Sequence, residues 1–151
     1  MSRLLTIAEA RDLRSGRRLV FTNGVFDILH AGHVAYLESA RALGDLLIVG
    51  LNSDVSARGL GKGPGRPVFD LADRARVIGA LRCVDGVVSF DEPTPEATIA
   101  ALRPEVHVKG GDYRADDMPE TPLVRSYGGE VVILPYVQGR STTETLRRLG
   151  L

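Results

Sequence analysis

Two of the three histidines in the chain lie within one short turn. The segment Phe21–Leu37, FTNGVFDILHAGHVAYL, places His30 and His33 three residues apart between two apolar runs. Residues three apart are neighbours on one side of a helix, whose first turn also presents backbone N–H groups that lack internal partners. Two imidazoles beside such N–H groups form an anion site, and we expect phosphate there. In the alternative interpretation, His30 only caps the helix and His33 packs as a half-buried side chain.

The other residues of this turn suit the same chemistry. Gly32 lets a ligand oxygen approach the main chain, and Gly24 allows the strand to turn beneath the ligand. Asp27 either orients a histidine, binds magnesium or forms the turn, and we do not count it as catalytic.

Five segments rich in Val, Ile and Leu predict strands buried on both faces, because their apolar runs are often continuous. They are Leu19–Thr22, Leu46–Leu51, Val84–Phe90, Glu105–Val108 and Glu130–Leu134. Segments of helical periodicity alternate with them: HVAYLESARALG, LADRARVIGALR, TPEATIAALRP, TPLVRSYGG and TTETLRRLG. This alternation predicts an α/β three-layer sandwich with a five-stranded parallel Rossmann-like sheet of order 3-2-1-4-5. The histidine turn then lies at the carboxyl edge of the sheet, where open α/β sheets bind ligands.

Local signals indicate where several elements begin and end. Thr6–Arg14 has the pattern of an additional amphipathic helix. Gly44 follows the apolar stripe of the helix after the histidines, as a C-terminal glycine would. Thr94 is expected to cap a helix whose first residue is Pro95. Segment 52–67, NSDVSARGLGKGPGRP, predicts a mobile ligand loop.

Length and composition exclude several classes of protein. With 151 residues, 44% apolar and 25% charged, the chain is expected to form one globular domain over residues 1–151. No segment approaches the ~18 apolar residues of a membrane helix, and no secretory signal core is present. Nineteen basic residues balance nineteen acidic ones, so neither nucleic acid nor membrane is an expected partner. The lone Cys83 forms no internal disulfide, and a cytoplasmic location is expected.

The sequence HAGH, residues 30–33, is the HxGH signature of nucleotidyltransferases. The run FTNGVFDILHAGHVAYLESARALGD, followed in order by LIVGLNSD, GRP, RARVIGALRCVDGVVSFDEPTP, VKGGDY and GRSTT, resembles the cytidylyltransferase-like family over almost the whole chain. Within it, the segments FDILHAGH, KGGDY and STT are most similar to the branch that adenylylates D-glycero-β-D-manno-heptose 1-phosphate. The resemblance implies that His30, His33 and Lys62 are catalytic. The nucleotide-binding residues that it implies are Asn23, Gly24, Phe26, Gly32, Asn52, Asp54, Lys109, Gly110, Asp112, Arg140, Ser141, Thr142 and Thr143.

Nucleotidyl transfer requires cations around the phosphates, because an acceptor oxygen attacks the α-phosphorus in line while pyrophosphate leaves. Lys62 in the glycine-rich loop is placed to close over a bound triphosphate; otherwise it is a solvated lysine in a flexible loop. The family commonly has Leu-Lys-Gly here, whereas this chain has Gly61 before the lysine. Arg66 is therefore an alternative for the same role.

The segment VKGGDY follows the fourth predicted strand. Strands one and four are neighbours in the predicted order, so this segment faces the histidine turn across the crevice. Lys109 is then a candidate contact for substrate phosphate, Gly110 allows the backbone to approach the ligand, and Asp112 is a candidate acceptor for a hydroxyl. The alternative is an ordinary Gly-Gly-Asp turn.

The segment GRSTTETL combines a helix start with hydroxyl groups. Glu144 lies three residues after Ser141, as in a capping box, and Arg140 adds a permanent charge. In the resembling family this segment binds the triphosphate, and capping is compatible with that role. Asn52 and Asp54 of the segment NSD line the pocket by resemblance, or they form an Asx turn.

Two further residues are expected to be structural. Arg74 is solvated or pairs with Asp70 and Asp73 at helical spacing, and His107 lies in an apolar strand as a satisfied core histidine.

The predicted function is transfer of an adenylyl group from ATP to a sugar 1-phosphate, by resemblance heptose 1-phosphate, giving an ADP-sugar and pyrophosphate. Mg²⁺ is expected because the charge of the triphosphate must be neutralised. The sequence shows no dedicated carboxylate cage for a metal, so the ion would accompany the nucleotide. One rival is cytidylyl transfer from CTP to glycerol 3-phosphate or a similar alcohol phosphate. Another is a non-catalytic nucleotide-binding module, against which the intact HxGH signature argues. A separate sugar kinase upstream and a homodimer are further expectations.

Overall fold

The computed structural model describes residues 4–135, 139 and 141–151. Its strands are β1 (Leu19–Gly24), β2 (Leu46–Asn52), β3 (Gly86–Phe90), β4 (Val106–Gly110) and β5 (Glu130–Leu134). Its α-helices are α1 (Ile7–Arg14), α2 (Ala31–Arg41), α3 (Asp54–Gly59), α4 (Leu71–Gly79), α5 (Glu96–Leu102), α6 (Thr121–Ser126) and α7 (Thr142–Arg148). A single 3₁₀ turn, Ala115–Asp117, precedes α6 within the described residues.

The described strands form one parallel sheet of five strands in the order β3-β2-β1-β4-β5, which confirms the predicted topology. Side chains alternate along each strand, so each face of the sheet contributes to a separate apolar cluster. Val20, Leu47 and Val49 pack with residues of α2 and α4 on one face. Leu19 and Phe21 pack with α1, α5 and α6 on the other face. The result is the predicted three-layer α/β sandwich.

The crevice at the carboxyl edge opens between β1 and β4. Pairing between these strands ends at Thr22 and Val108. Beyond that point β1 continues to Gly24 against β2, and β4 continues to Gly110 against β5. The two central strands therefore diverge, and the loops that follow them border a shared space, as expected at a topological switch point.

Several predicted boundaries are wrong. Helix α2 ends at Arg41 with a right-handed cap, so Gly44 is not a C-terminal glycine. A Cβ atom at Gly44 would lie 2.7 Å from Val20 Cγ2, so close packing requires glycine there. Helix α5 begins at Glu96, and its N-cap is Pro95 instead of the predicted Thr94. The Thr94 hydroxyl bonds the Glu96 carboxylate and caps no backbone N–H.

The predicted polar loop is shorter than expected. Its first part forms α3, whose N-cap Ser53 accepts a hydrogen bond from the Ser56 N–H at 3.2 Å.

None of the helices in the described parts of the chain combines the length and hydropathy that crossing a bilayer requires.

Candidate active site

A cavity of about 950 Å³ lies at the carboxyl edge of the sheet, where β1 and β4 diverge. The histidine turn, the glycine-rich loop, the end of β4 and the start of α7 all contribute to its walls. The structure brings together twelve of the predicted site residues there: Asn23, Gly24, Phe26, His30, Gly32, His33, Lys62, Lys109, Gly110, Ser141, Thr142 and Thr143.

The two histidines form a stacked pair at the start of α2. Their ring centroids are 3.8 Å apart and the rings are inclined by 26°. His30 is the N-cap, and its Nδ1 accepts a hydrogen bond from the Gly32 N–H at 3.1 Å. His33 Nδ1 accepts a hydrogen bond from the His30 N–H at 3.2 Å. The two histidines therefore take part in the helix cap and also line the cavity.

These contacts determine which ring nitrogen of each histidine carries the proton. A nitrogen that accepts a backbone hydrogen bond has no proton of its own, so each neutral ring is protonated at Nε2. Burial, and then the neighbouring charges of His30 and Lys62, lower the pKa of His33 to about 4. His33 is therefore neutral at pH 7 in the free protein and retains one Nε2–H donor.

Phe26 positions the His33 ring. It lies in the left-handed backbone region, with φ at 49°, a conformation that costs energy for a bulky residue. Its ring centroid is 5.4 Å from that of His33. A Cβ atom at Gly24 would lie 3.0 Å from Phe26 Cε2. Glycine at position 24 thus makes room for the Phe26 ring, whereas the sequence suggested a turn beneath the ligand.

Asp27 anchors the C-terminal end of the glycine-rich loop. Its buried carboxylate accepts hydrogen bonds from the backbone N–H groups of Val68, at 2.8 and 2.9 Å, and Phe69, at 3.0 Å. It also accepts one from Arg66 Nε at 3.1 Å. Asp27 therefore has the turn-forming role among the three predicted alternatives. Arg66 lines the cavity while paired to Asp27, whereas Lys62 lines it as an exposed side chain.

Arg74 contradicts its prediction. Its side chain has an exposed fraction of 0%. Nη1 donates to the carbonyl oxygens of Val25, at 2.8 Å, and Asn52, at 2.9 Å, while Nε donates to that of Phe69 at 3.0 Å. Nη2 donates to Asp54 Oδ1 at 2.7 Å. The guanidinium therefore joins the residue that follows β1, the last residue of β2 and the loop anchor, instead of pairing with acids on its own helix.

Asn52 and Asp54 do not line this cavity. The Asn52 side chain is buried and donates to Ser56 Oγ at 3.0 Å, and Asp54 is bound to Arg74. Both side chains are thus committed to contacts within the fold.

Lys109 lies at the end of β4, beside the crevice. Burial lowers its pKa, an effect that the nearby Glu120 carboxylate opposes and Lys62 reinforces. Its Nζ lies 6.0 Å from the centroid of the Tyr113 ring, which is also part of the cavity wall. Asp112 is exposed and does not line the cavity, and Gly111 before it has a φ of 102°, as in the alternative of an ordinary Gly-Gly-Asp turn.

His107 is buried in β4, as predicted for a core histidine. Its Nε2 lies 3.1 Å from Glu120 Oε1, and its ring stacks on Phe21 with a centroid distance of 5.8 Å. Among the described residues, its Nδ1 has no hydrogen-bond partner, so it is only half satisfied.

The start of α7 is attached to the histidine turn. Thr142 Oγ1 donates to the Ile28 carbonyl oxygen at 3.0 Å, and Ser141 Oγ accepts from the Glu144 N–H at 3.0 Å. The carboxylate of Glu144 pairs with Arg147 at 2.8 Å, so only half of the predicted capping box forms. Arg140 lies outside the described residues.

The sequence analysis gave no site role to four cavity residues with polar side chains: Tyr36, Tyr113, Glu144 and Arg148. Tyr36 lies three residues after His33 on α2, so helical periodicity alone was a sufficient signal. Tyr113 ends the segment VKGGDY, in which Lys109, Gly110 and Asp112 are the predicted ligand contacts. No group of three or more metal-ligating side chains occurs in the described parts of the chain.

Comparisons with known proteins agree with this geometry. The sequence profile of the cytidylyltransferase-like family matches residues 21–139. The D-beta-D-heptose 1-phosphate adenylyltransferase of Bordetella bronchiseptica is 52% identical over 99% of this chain and 92% of its own length. The "Bifunctional protein HldE" of Streptomyces coelicolor is 57% identical over 86% of this chain, which spans only 28% of that protein.

A solved structure shares the fold of this chain. The lipopolysaccharide core biosynthesis protein of Thermoplasma volcanium GSS1 superimposes with a TM-score of 0.66 at 32% identity, covering 83% of this chain and all of that one. The chain belongs to the cytidylyltransferase-like family.

Proposed function

We propose that the protein transfers an adenylyl group from ATP to D-β-D-heptose 1-phosphate. Support comes from the Bordetella relative of that name, which matches nearly the whole chain. The observation that carries the proposal is the stacked pair His30 and His33, each fixed as an Nε2–H donor on the wall of a cavity that also contains Lys62 and Lys109.

In this reaction an oxygen of the sugar phosphate attacks the α-phosphorus of ATP. The bond between the α-phosphorus and the oxygen that bridges to the β-phosphorus breaks, and its electron pair leaves with pyrophosphate. The products are ADP-heptose and pyrophosphate. Catalysis of such a step depends mainly on alignment of the reactants and on stabilisation of negative charge.

The histidines supply Nε2–H donors for that charge. Backbone hydrogen bonds hold their Nδ1 atoms, so the Nε2–H groups are preorganised and need little rearrangement during the reaction. Because His33 is already neutral at pH 7, its role as a donor does not depend on prior protonation.

Lysine side chains supply formal positive charge from two sides of the crevice. Lys62 lies on the glycine-rich loop and Lys109 on β4. Mg²⁺ enters as part of the ATP complex in this proposal, because the described residues offer no cage and the Asp27 carboxylate is already bound to the loop anchor. The ion would neutralise charge on the triphosphate.

The bifunctional relatives suggest how the sugar phosphate substrate is supplied. This chain spans about 28–30% of the length of those relatives, which leaves room for a second activity. We propose that a separate sugar kinase supplies the heptose 1-phosphate. A homodimer and a cytoplasmic location remain predictions.

A substrate panel tests the proposal. We expect heptose 1-phosphate with ATP to give faster pyrophosphate release than heptose 1-phosphate with CTP or glycerol 3-phosphate with CTP. The assay measures pyrophosphate and identifies the sugar nucleotide by mass. Faster turnover of glycerol 3-phosphate with CTP would refute the substrate assignment and keep the reaction class. Nucleotide binding without turnover of any pair would support a non-catalytic module.

Ordering of the glycine-rich loop is a second expected result. The four amide hydrogens of residues 62–66, where position 64 is proline, make no main-chain hydrogen bonds to described residues, whereas Asp27 fixes the next segment at Val68 and Phe69. Residues 62–66 should exchange amide hydrogens rapidly in the free protein and slowly with Mg-ATP, because Lys62 moves onto the triphosphate.

Hydrogen exchange read by mass spectrometry measures this change, with α1 peptides as an internal reference. In a Lys62→Ala variant the ligand-dependent protection should be reduced. Unchanged exchange of residues 62–66 at saturating Mg-ATP would refute closure of the loop.

A further inference from the structure

We propose that Tyr36 is a positioning residue that holds the histidine helix and the Lys109 strand at a fixed separation. The inference rests on the proposed nucleotidyl transfer. It adds a residue that acts through its phenol hydroxyl.

The hydroxyl joins three elements. Tyr36 lies three residues after His33 on α2, so both side chains are on the same side of the helix. Its hydroxyl lies 2.7 Å from Thr22 Oγ1 of β1 and donates to the Val108 carbonyl oxygen of β4 at 3.2 Å. Thr22 Oγ1 donates to the same carbonyl at 2.9 Å.

This cluster lies at the point where the central strands diverge. Thr22 and Val108 form the last residue pair between β1 and β4. The next residue on each strand, Asn23 and Lys109, lines the cavity. The hydroxyl of Tyr36 therefore fixes both strands immediately before the residues that enter the site.

The strand side of this cluster is buried, whereas Tyr36 is half-buried on the cavity wall. Thr22 and Val108 each have an exposed fraction of 0%. The two hydroxyls carry two protons for three short contacts: Thr22 donates to the Val108 carbonyl, and the Tyr36 proton is shared between that carbonyl and the Thr22 oxygen. Without the phenol hydroxyl, Thr22 still donates to Val108 and the apolar packing of α2 on β4 is kept, while α2 loses its hydrogen bond to β4.

Loss of this attachment should affect turnover more than substrate binding. Charge stabilisation in the transition state requires that His33, on α2, and Lys109, on β4, face the same phosphates. A displacement of about 1 Å in such an arrangement costs up to ~10²-fold in rate. For Tyr36→Phe, which keeps the ring, we expect kcat to fall about 10-fold and KM for ATP to change less than about 2-fold.

Tyr127→Phe is the matched control. The Tyr127 hydroxyl also donates to a backbone carbonyl, that of Pro104, at 2.9 Å, but Tyr127 is outside the cavity. The control variant should keep wild-type kcat and show a Tm change similar to that of Tyr36→Phe. An equal loss of kcat in both variants would overturn the proposal, since the effect would then be general destabilisation.

A double-mutant cycle with Lys109→Met tests the route of action. If Tyr36 acts through Lys109, the 10-fold loss from Tyr36→Phe should shrink to less than about 2-fold in the Lys109→Met background. A full 10-fold loss in that background overturns the proposal. A raised KM with unchanged kcat for Tyr36→Phe also overturns it, because the hydroxyl would then be a ground-state ligand contact.

The same measurements separate this inference from the proposed function. All variants are assayed with whichever nucleotide and acceptor the wild-type protein uses fastest. A wild-type protein that prefers CTP and glycerol 3-phosphate refutes the substrate assignment and leaves the Tyr36 comparison valid. A wild-type protein inactive with every pair overturns both, whereas an active wild type with an equally active Tyr36→Phe variant overturns the inference alone.

Discussion

His33→Ala should lower kcat by about 10²–10³-fold while the protein remains folded. The substitution removes one preorganised Nε2–H donor from the cavity wall, and loss of a single such donor has this effect in enzymes that stabilise developing negative charge. Affinity for ATP should change less, because the contact strengthens mainly in the transition state. Steady-state kinetics of pyrophosphate release, with circular dichroism and thermal melting, measure both parts.

His33→Gln separates a donor role from a packing role. Its side-chain amide presents a neutral N–H near the position of Nε2, so it should recover part of the lost turnover. Wild-type turnover in a folded His33→Ala protein would remove the histidine pair from the mechanism. A collapsed thermal transition would instead favour the interpretation of His33 as a packing residue.

Acid stability provides an independent check on the surroundings of His33. Its pKa is about 4 in the native protein, below the ordinary 6.5, so between these pH values the unfolded chain binds the extra proton. The free energy of unfolding of the wild type therefore decreases as pH falls through this window. His33→Ala lacks this contribution, so the difference in Tm between wild type and variant should become smaller between pH 7 and pH 5.

The fold and the centre of the site were predictable because both follow from local patterns. Continuous apolar runs alternating with helical periodicity specify a parallel sheet, and the carboxyl ends of parallel strands meet at one edge. His33 and Lys109, 76 residues apart in the sequence, therefore line one cavity as expected.

Tertiary contacts explain what sequence reasoning missed. Asp70 and Asp73 lie at helical spacing from Arg74, yet the guanidinium turns inward to carbonyls on other elements. Nothing in the local pattern distinguishes a surface arginine from one whose partners lie at the carboxyl ends of β1 and β2. Asp54 is then paired with Arg74 and does not line the cavity.

Arg74→Met should lower the free energy of unfolding by about 3–5 kcal/mol, because it leaves the buried carbonyls of Val25 and Asn52 without a donor at about 1–3 kcal/mol each, while the partly exposed Asp54 carboxylate contributes less. Methionine fills much of the same volume but leaves the carbonyls of Val25, Asn52 and Phe69 without their guanidinium donor. At roughly 2–4 °C per kcal/mol for a chain of this size, Tm should fall by roughly 6–20 °C. Urea unfolding and thermal melting measure the change.

Arg76→Met is the matched control, since Arg76 lies on the same helix with an exposed side chain. An exposed substitution of this kind should change stability by no more than about 0.5 kcal/mol. Arg74 also holds the Phe69 carbonyl, while Asp27 holds the Phe69 N–H, so the variant should loosen the anchor of the Lys62 loop. We therefore expect faster hydrogen exchange at Val68 and Phe69 in Arg74→Met and not in Arg76→Met. Equal stability of the two variants would show that the buried guanidinium does not join the sheet to the loop.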